Sequence, residues 1–123
     1  MARILVADDA SFMRQIIREI LEADGHEIVA EASDGVQAVE AWRKHRPDLV
    51  TMDIVMPRRS GIDSVRAIVG IDPTARIVMC SALGQETLVT EALQAGATDF
   101  IVKPFKPDAV LATVRRALEK GDA

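Results

Sequence analysis

The 123-residue chain holds a single cysteine, Cys80, so no internal disulfide can form and a disulfide-stapled scaffold is excluded. That scarcity fits a reducing compartment. There is no tyrosine, and three phenylalanines and one tryptophan are the only aromatic side chains. Few rings are therefore on hand to stack on a flavin. No apolar run approaches the roughly 20 residues of a membrane span, and no apolar stretch of signal-peptide type opens the chain. No basic block stands out: 15 basic residues face 19 acidic ones for a net charge of −4. This argues against nucleic acid as the main ligand. A cytoplasmic protein without membrane insertion is the expectation. Linkers, internal repeats and low-complexity segments are also missing, which leaves one domain over residues 1–123.

What remains is apolar and periodic. Apolar residues make up 49% of the chain, too many for disorder. A domain of this length can bury roughly 65% of its extended surface, enough for an unstapled core. Short β-rich runs read as strands over Arg3–Ala7, Ile28–Ala32, Leu49–Met52, Arg76–Cys80 and Phe100–Val102. The first, third and fourth are nearly continuous in apolar residues, as expected of strands covered on both faces.

Helical spacing fills the gaps. Met13, Ile16, Ile17, Ile20 and Leu21 form one stripe, closed by Gly25. A second helix runs over Val36–His45 with Val39 and Trp42 on one face, and a third over Ile62–Val69. The fourth, Gln85–Ala95, carries Leu88, Val89, Ala92 and Leu93 and stops at Gly96. The fifth opens with Pro107, a good first helical residue, and buries Val110, Leu111, Val114 and Leu118. Five βα units predict an α/β fold, an open parallel sheet with helices on both faces and right-handed crossovers.

In such sheets, ligands bind beyond the carboxyl ends of the strands. Four strands end there in a polar group: the first in Asp8-Asp9, the third in Asp53, the fourth in Ser81 and the fifth in Lys103-Pro104. If the first and third strands are neighbours, three carboxylates converge. At ~5 Å and an effective dielectric constant of ~20, each pair repels by roughly 3 kcal/mol. A cation must sit there, or one acid must hold its proton. Oxygen ligands that retain waters suit Mg²⁺, with Mn²⁺ a substitute. Lys103 supplies a fixed positive charge and Ser81 a hydroxyl donor. The set suits a tetrahedral oxyanion, with Asp53 placed to attack phosphorus.

The stretches "ADDASFMR", "DLVTMDIVMP", "SGID", "MCSA" and "AGATDFIVKPF" resemble a response-regulator receiver domain, over nearly the whole chain and most closely in its stand-alone chemotaxis form. The resemblance, not the periodicity, implies a flavodoxin-like (βα)5 domain with strand order 2-1-3-4-5. It implies that Asp53 accepts a phosphoryl group from a phosphohistidine of a CheA-like sensor histidine kinase. Asp9 would bind Mg²⁺ directly and Asp8 through water, with Asp53 and the backbone carbonyl of Val55 completing the set. Ser81 and Lys103 would clasp the phosphoryl group, and the Lys103-Pro104 bond would be cis. Phe100 would be the aromatic switch, packing inward as Ser81 is drawn to the phosphoryl group. It stands where tyrosine is more familiar, so a phenol hydroxyl is not used. The readout face would be the fourth helix, fifth strand and fifth helix. The partners implied are the kinase, a flagellar motor switch protein and a dedicated phosphatase, acting on a monomer with no output domain of its own.

Each residue also has a plainer reading. Asp9 alone reads as a cap of the first helix, Asp53 as a turn acid, Lys103 as a surface lysine and Ser81 as a strand-end hydroxyl. Phe100 alone reads as core, Cys80 as inert and buried, Trp42 as packing, and Arg58-Arg59 as a solvated loop pair. His26 and His45 lack metal-ligand company. Val55 and Leu83, apolar beside the site, are expected to hinder an attacking water and lengthen phosphoryl lifetime. Two other circuits share the residues: a multistep relay and the receiver of a truncated DNA-binding regulator. An aspartyl-nucleophile phosphatase dependent on Mg²⁺ is the reading from a different class. Many such enzymes place a second acid two residues after the nucleophile, where this chain has Val55, so the expectation is a switch rather than an enzyme.

Overall fold

The computed structural model describes residues 1–120, in which five strands alternate with five helices: β1 (Arg3–Ala7), α1 (Ser11–Ala23), β2 (Glu27–Ala32), α2 (Gly35–His45), β3 (Leu49–Asp53), α3 (Gly61–Ile71), β4 (Ile77–Ser81), α4 (Glu86–Ala95), β5 (Asp99–Val102) and α5 (Pro107–Glu119). All strand pairs are parallel, and the sheet order is β2-β1-β3-β4-β5. Every residue of β3 and β4 is buried, as are all of β1 except Arg3.

Period-two alternation divides the core. Leu5, Ala7, Val50, Met52, Ile77 and Met79 face one side, against Trp42, Val65, Ile68 and Val89 of α2, α3 and α4. Ile4, Val6, Leu49, Val78 and Cys80 face the other, against Ile17 and Leu21 of α1 and Val110 and Val114 of α5. Helices therefore cover both faces of the sheet.

Element ends have local causes. Asp34 caps α2 by accepting from the Gln37 N–H at 2.8 Å, and Ser60 caps α3 by accepting from Asp63 at 3.1 Å. These caps start both helices one residue before the periodicity places them. The carboxyl end of α2 turns through Arg46 in the left-handed region, with its guanidinium stacked 4.2 Å from the Trp42 ring centre. β4 sits one residue later than the apolar run suggests, which makes Ser81 its last residue.

Five apolar side chains depart from expectation. Leu111 and Leu118 of α5 are only partly buried, because they flank the buried stripe of Val110, Val114 and Ala117. Ile16 and Leu93 belong to their helical stripes but lie at the edge, about as exposed as Phe100. Phe100 is 39% exposed on β5, so its reading as plain core is corrected: β5 is an edge strand, and this position faces outward. Among the described residues, no helix is long and apolar enough to cross a membrane.

Candidate functional site

The register assembles the site. Ala7 of β1 lies opposite Met52 of β3, so Asp8 and Asp53 leave neighbouring strands side by side. Asp53 pairs with Cys80 of β4, and Ser81 with Val102 of β5. The Lys103 N–H then donates to the Ser81 carbonyl at 2.7 Å. Four strand ends thus bring Asp8, Asp9, Asp53, Ser81 and Lys103 to one edge.

The acids meet. One carboxylate oxygen from each of Asp8, Asp9 and Asp53 lies within 4.8 Å of the others. Oxygens this close would together hold one divalent ion such as Mg²⁺. Asp8 and Asp53 are buried, and Asp9 is exposed. The Lys103 Nζ lies 2.9 Å from Asp8 Oδ2 and 3.3 Å from Asp53 Oδ2. Three carboxylates and one ammonium leave two negative charges, a match for a divalent cation.

Electrostatics agree with the geometry. Burial, followed by the facing charge of Asp8, raises Asp53 to about 6, against the pull of Lys103. Burial alone would lower Lys103, but its bond to Asp8 and the charge of Asp53 outweigh that and hold it above its ordinary value. Lys103 therefore stays charged at neutral pH. Cys80, beside Asp53, is fully buried and its thiol is pushed up, which leaves it inert.

Asp9 does not cap α1. The capping position is Ala10, with no side-chain bond to the helix, and Asp8 Oδ1 instead accepts from the Ala10 N–H at 2.9 Å. Ser81 Oγ donates to the Ile101 carbonyl at 3.5 Å, the long limit for a hydrogen bond. The Lys103-Pro104 bond is cis. The Val55 carbonyl lies in the segment between β3 and α3, which is closed by Gly61 N–H to Ile54 O at 2.8 Å and Arg59 N–H to Pro57 O at 2.7 Å. The Val55 and Leu83 side chains are strongly exposed, at 57% and 81%. Leu83, Phe100 and Val102 line two adjoining grooves of about 420 and 280 Å³, bounded by α5 and α4 respectively.

Sequence reasoning missed several supports. Arg58 is more than a solvated loop residue: its Nη1 lies 3.2 Å from buried Asp34, and its backbone is left-handed with φ 66°. A Cβ on Gly61 would collide with the Asp53 carbonyl oxygen, and one on Gly35 with the Arg59 carbonyl oxygen. The available signal was a glycine directly after a cap residue, where a poor helix former marks a close backbone approach. Arg14 reaches the carbonyl of Asp8 at 2.7 Å, a contact that no spacing rule announces.

Comparison with known proteins agrees with this arrangement. The response regulator receiver domain family matches residues 4–115. The chain is 56% identical to the chemotaxis protein CheY of Bacillus subtilis over 94% of its own length and 97% of that protein. It is 48% identical to CheY of Thermotoga maritima over 93% and 95%. It superposes with a TM-score of 0.89 and 39% identity on a chain of the CheX-CheY-BeF3-Mg²⁺ complex from Borrelia burgdorferi, covering 93% of this chain and 87% of that one. The chain belongs to the response-regulator receiver family.

Proposed function

We propose that the chain is a phosphorylation-driven switch of chemotaxis type, in which Asp53 accepts a phosphoryl group in a Mg²⁺-dependent reaction. The observation that carries this reading is the ammonium of Lys103 held between Asp8 and Asp53 at 2.9 and 3.3 Å, beside a three-carboxylate cluster. A carboxylate oxygen of Asp53 attacks phosphorus, and the bond from phosphorus to the donor imidazole nitrogen breaks with its electron pair leaving on that nitrogen. Lys103 faces the charge that develops on the transferring oxygens, and Ser81 can exchange its long bond to Ile101 for one to phosphate. Asp8, Asp9, Asp53 and the Val55 carbonyl would hold Mg²⁺, which when bound offsets negative charge on the phosphoryl group.

The donor is a CheA-like sensor histidine kinase, by likeness to the CheY proteins. The output partner is a flagellar motor switch protein, a dedicated phosphatase is a further partner, and the CheX-CheY complex adds a CheX-type protein to the candidates. The chain acts on itself rather than turning over a separate substrate, since Val55 supplies no acid for a leaving group.

Incubation with Mg²⁺ and acetyl phosphate, followed by mapping of the modified residue, tests the reading. One phosphoryl group should appear on Asp53, with none in Asp53→Asn or when the metal is chelated. A wild-type signal that survives in Asp53→Asn would sink the assignment, and steady release of phosphate from phosphomonoesters would favour the phosphatase.

A further inference from the structure

The carboxylates at the head of α1 need an anchor that the helix itself does not give. Ala10 offers no capping side chain, and Asp9 is exposed. Asp8, by contrast, is held at every polar atom. Its N–H donates to Ala32 O at 3.0 Å, its Oδ1 accepts from Ala10, and its Oδ2 pairs with Lys103. Its carbonyl oxygen accepts from Arg14 Nη1 at 2.7 Å.

Arg14 is itself fixed. Its Nε lies 2.9 Å from Glu31 Oε1 on β2, and the other oxygen of Glu31 takes Arg18 Nη1 at 2.6 Å. The Arg14 side chain is only 18% exposed, and its fork spans α1, β2 and the acid loop. The oxygen it holds belongs to the peptide unit joining Asp8 to Asp9. That unit is planar from one Cα to the next, so fixing its oxygen orients the plane and sets where the Asp9 Cα begins.

We infer that Arg14 is a positioning residue for the cation site: by holding the Asp8 carbonyl, it fixes the peptide plane that delivers the exposed carboxylate of Asp9 to Asp8 and Asp53. This rests on the reading of the three acids as cation ligands. It goes beyond that reading by adding a cationic side chain that supports cation binding. Coulomb's law alone requires the opposite: a positive charge near the site weakens a bound cation, and removing it strengthens binding. Groups that orient ligands from behind typically change metal affinity by about 10–100-fold when lost.

The sign of the effect is the test. Mn²⁺ binding to the full chain is measured by the electron paramagnetic resonance signal of the free ion, for wild type, Arg14→Gln, Arg14→Lys, Asp9→Asn and Arg115→Gln. Arg115 pairs with Asp24, away from the acids, and controls for loss of one positive charge. Arg14→Gln should weaken binding by about 10-fold or more. Arg14→Lys keeps the charge but replaces a planar fork, whose Nε and Nη1 reach Glu31 and the Asp8 carbonyl separately, with a single nitrogen on a more flexible stem, so a smaller weakening is expected. It also serves as the deciding variant if Arg14→Gln does not fold. Arg115→Gln should bind as wild type does. Equal or tighter binding in Arg14→Gln, or wild-type affinity in Arg14→Lys, overturns the inference while leaving the cation site standing. If wild type takes up no Mn²⁺, or Asp9→Asn binds as tightly as wild type, the cation-site reading falls and this inference falls with it.

Discussion

Burial and the facing carboxylate of Asp8 raise Asp53 to about 6, from an ordinary aspartate value near 3.9. The folded chain therefore binds this proton more tightly than the unfolded chain does. The stabilisation from Asp53 is fully present below about pH 4 and is lost as pH rises through about 6. With metal chelated, Asp53→Asn should be more stable than wild type at about pH 7.5, and the difference should shrink toward about pH 4. Urea melts across that range measure it, and equal stability throughout would contradict the raised value. His26 works in the opposite direction. Burial holds it below its ordinary value, and its Nδ1 accepts from the Ala2 N–H at 3.1 Å, which protonation would abolish. Its contribution is present above about pH 6.5 and is lost as pH falls through its lowered value. NMR titration of the His26 ring should place its midpoint below that of a free histidine, and an ordinary midpoint would refute this. The site acids, Ser81 and Lys103 were legible because each is a polar residue ending an apolar run at the same end of a strand. Arg14 and His26 were not, because the groups that hold them, Glu31 and the Asp8 carbonyl for Arg14 and the Ala2 N–H for His26, meet them only through the fold and follow no spacing rule.

Between β3 and α3 the chain turns within a few residues, and the turn depends on a missing side chain. Gly61 opens α3 directly against the Asp53 carbonyl oxygen, with no room for a Cβ. Gly61→Ala must push the helix start or the strand end aside, at a cost of about 1–3 kcal/mol as for other overpacked sites. The displaced group is the backbone of the proposed phosphoacceptor, so phosphorylation by acetyl phosphate should slow as well. Gly70 in the last turns of α3 is exposed, with nothing within 4 Å of an added Cβ. Gly70→Ala should stabilise by about 0.5–1 kcal/mol through helix propensity alone. Chemical denaturation of both variants checks the pair, and effects of the same sign would refute the geometric distinction. Periodicity found all ten elements because their apolar faces are regular. It misplaced the starts of α2 and α3, since both begin with a glycine, which helix propensity disfavours but a preceding cap and a close neighbour require. The switch role expected of Phe100 on β5 came only from family likeness, as a single aromatic on an edge strand leaves no pattern in a four-residue run.

Across the whole molecule, local pattern says which segments are strands but not which are neighbours. The order β2-β1-β3-β4-β5 came from likeness to a family, and it is this order that brings Asp8 beside Asp53. The same order connects the site to the groove-lined face. Ser81 ends β4 at the acids, its hydroxyl rests on Ile101 of β5 through a 3.5 Å bond, and the neighbour of Ile101 is the half-exposed Phe100. So long a bond is cheap to break. On the proposed function, a phosphoryl group on Asp53 would capture the Ser81 hydroxyl, and the Phe100 ring would turn inward and reshape both grooves. Moving such an equilibrium from 1:99 to 99:1 takes ~5.5 kcal/mol of preference for one arrangement, which charge-assisted bonds to Lys103 and Ser81 can contribute toward. Fluorine NMR on fluorinated Phe100 reads the ring directly. Beryllofluoride with Mg²⁺ should shift its signal toward a buried environment in wild type, leave it unchanged in Asp53→Asn, and give an incomplete shift in Ser81→Ala. Linkage requires the reverse as well: a motor-switch peptide that binds the altered face must tighten beryllofluoride binding by the same factor that beryllofluoride tightens the peptide. A full shift in Ser81→Ala would show that Phe100 moves without the hydroxyl, and would break the proposed path between Asp53 and the grooves.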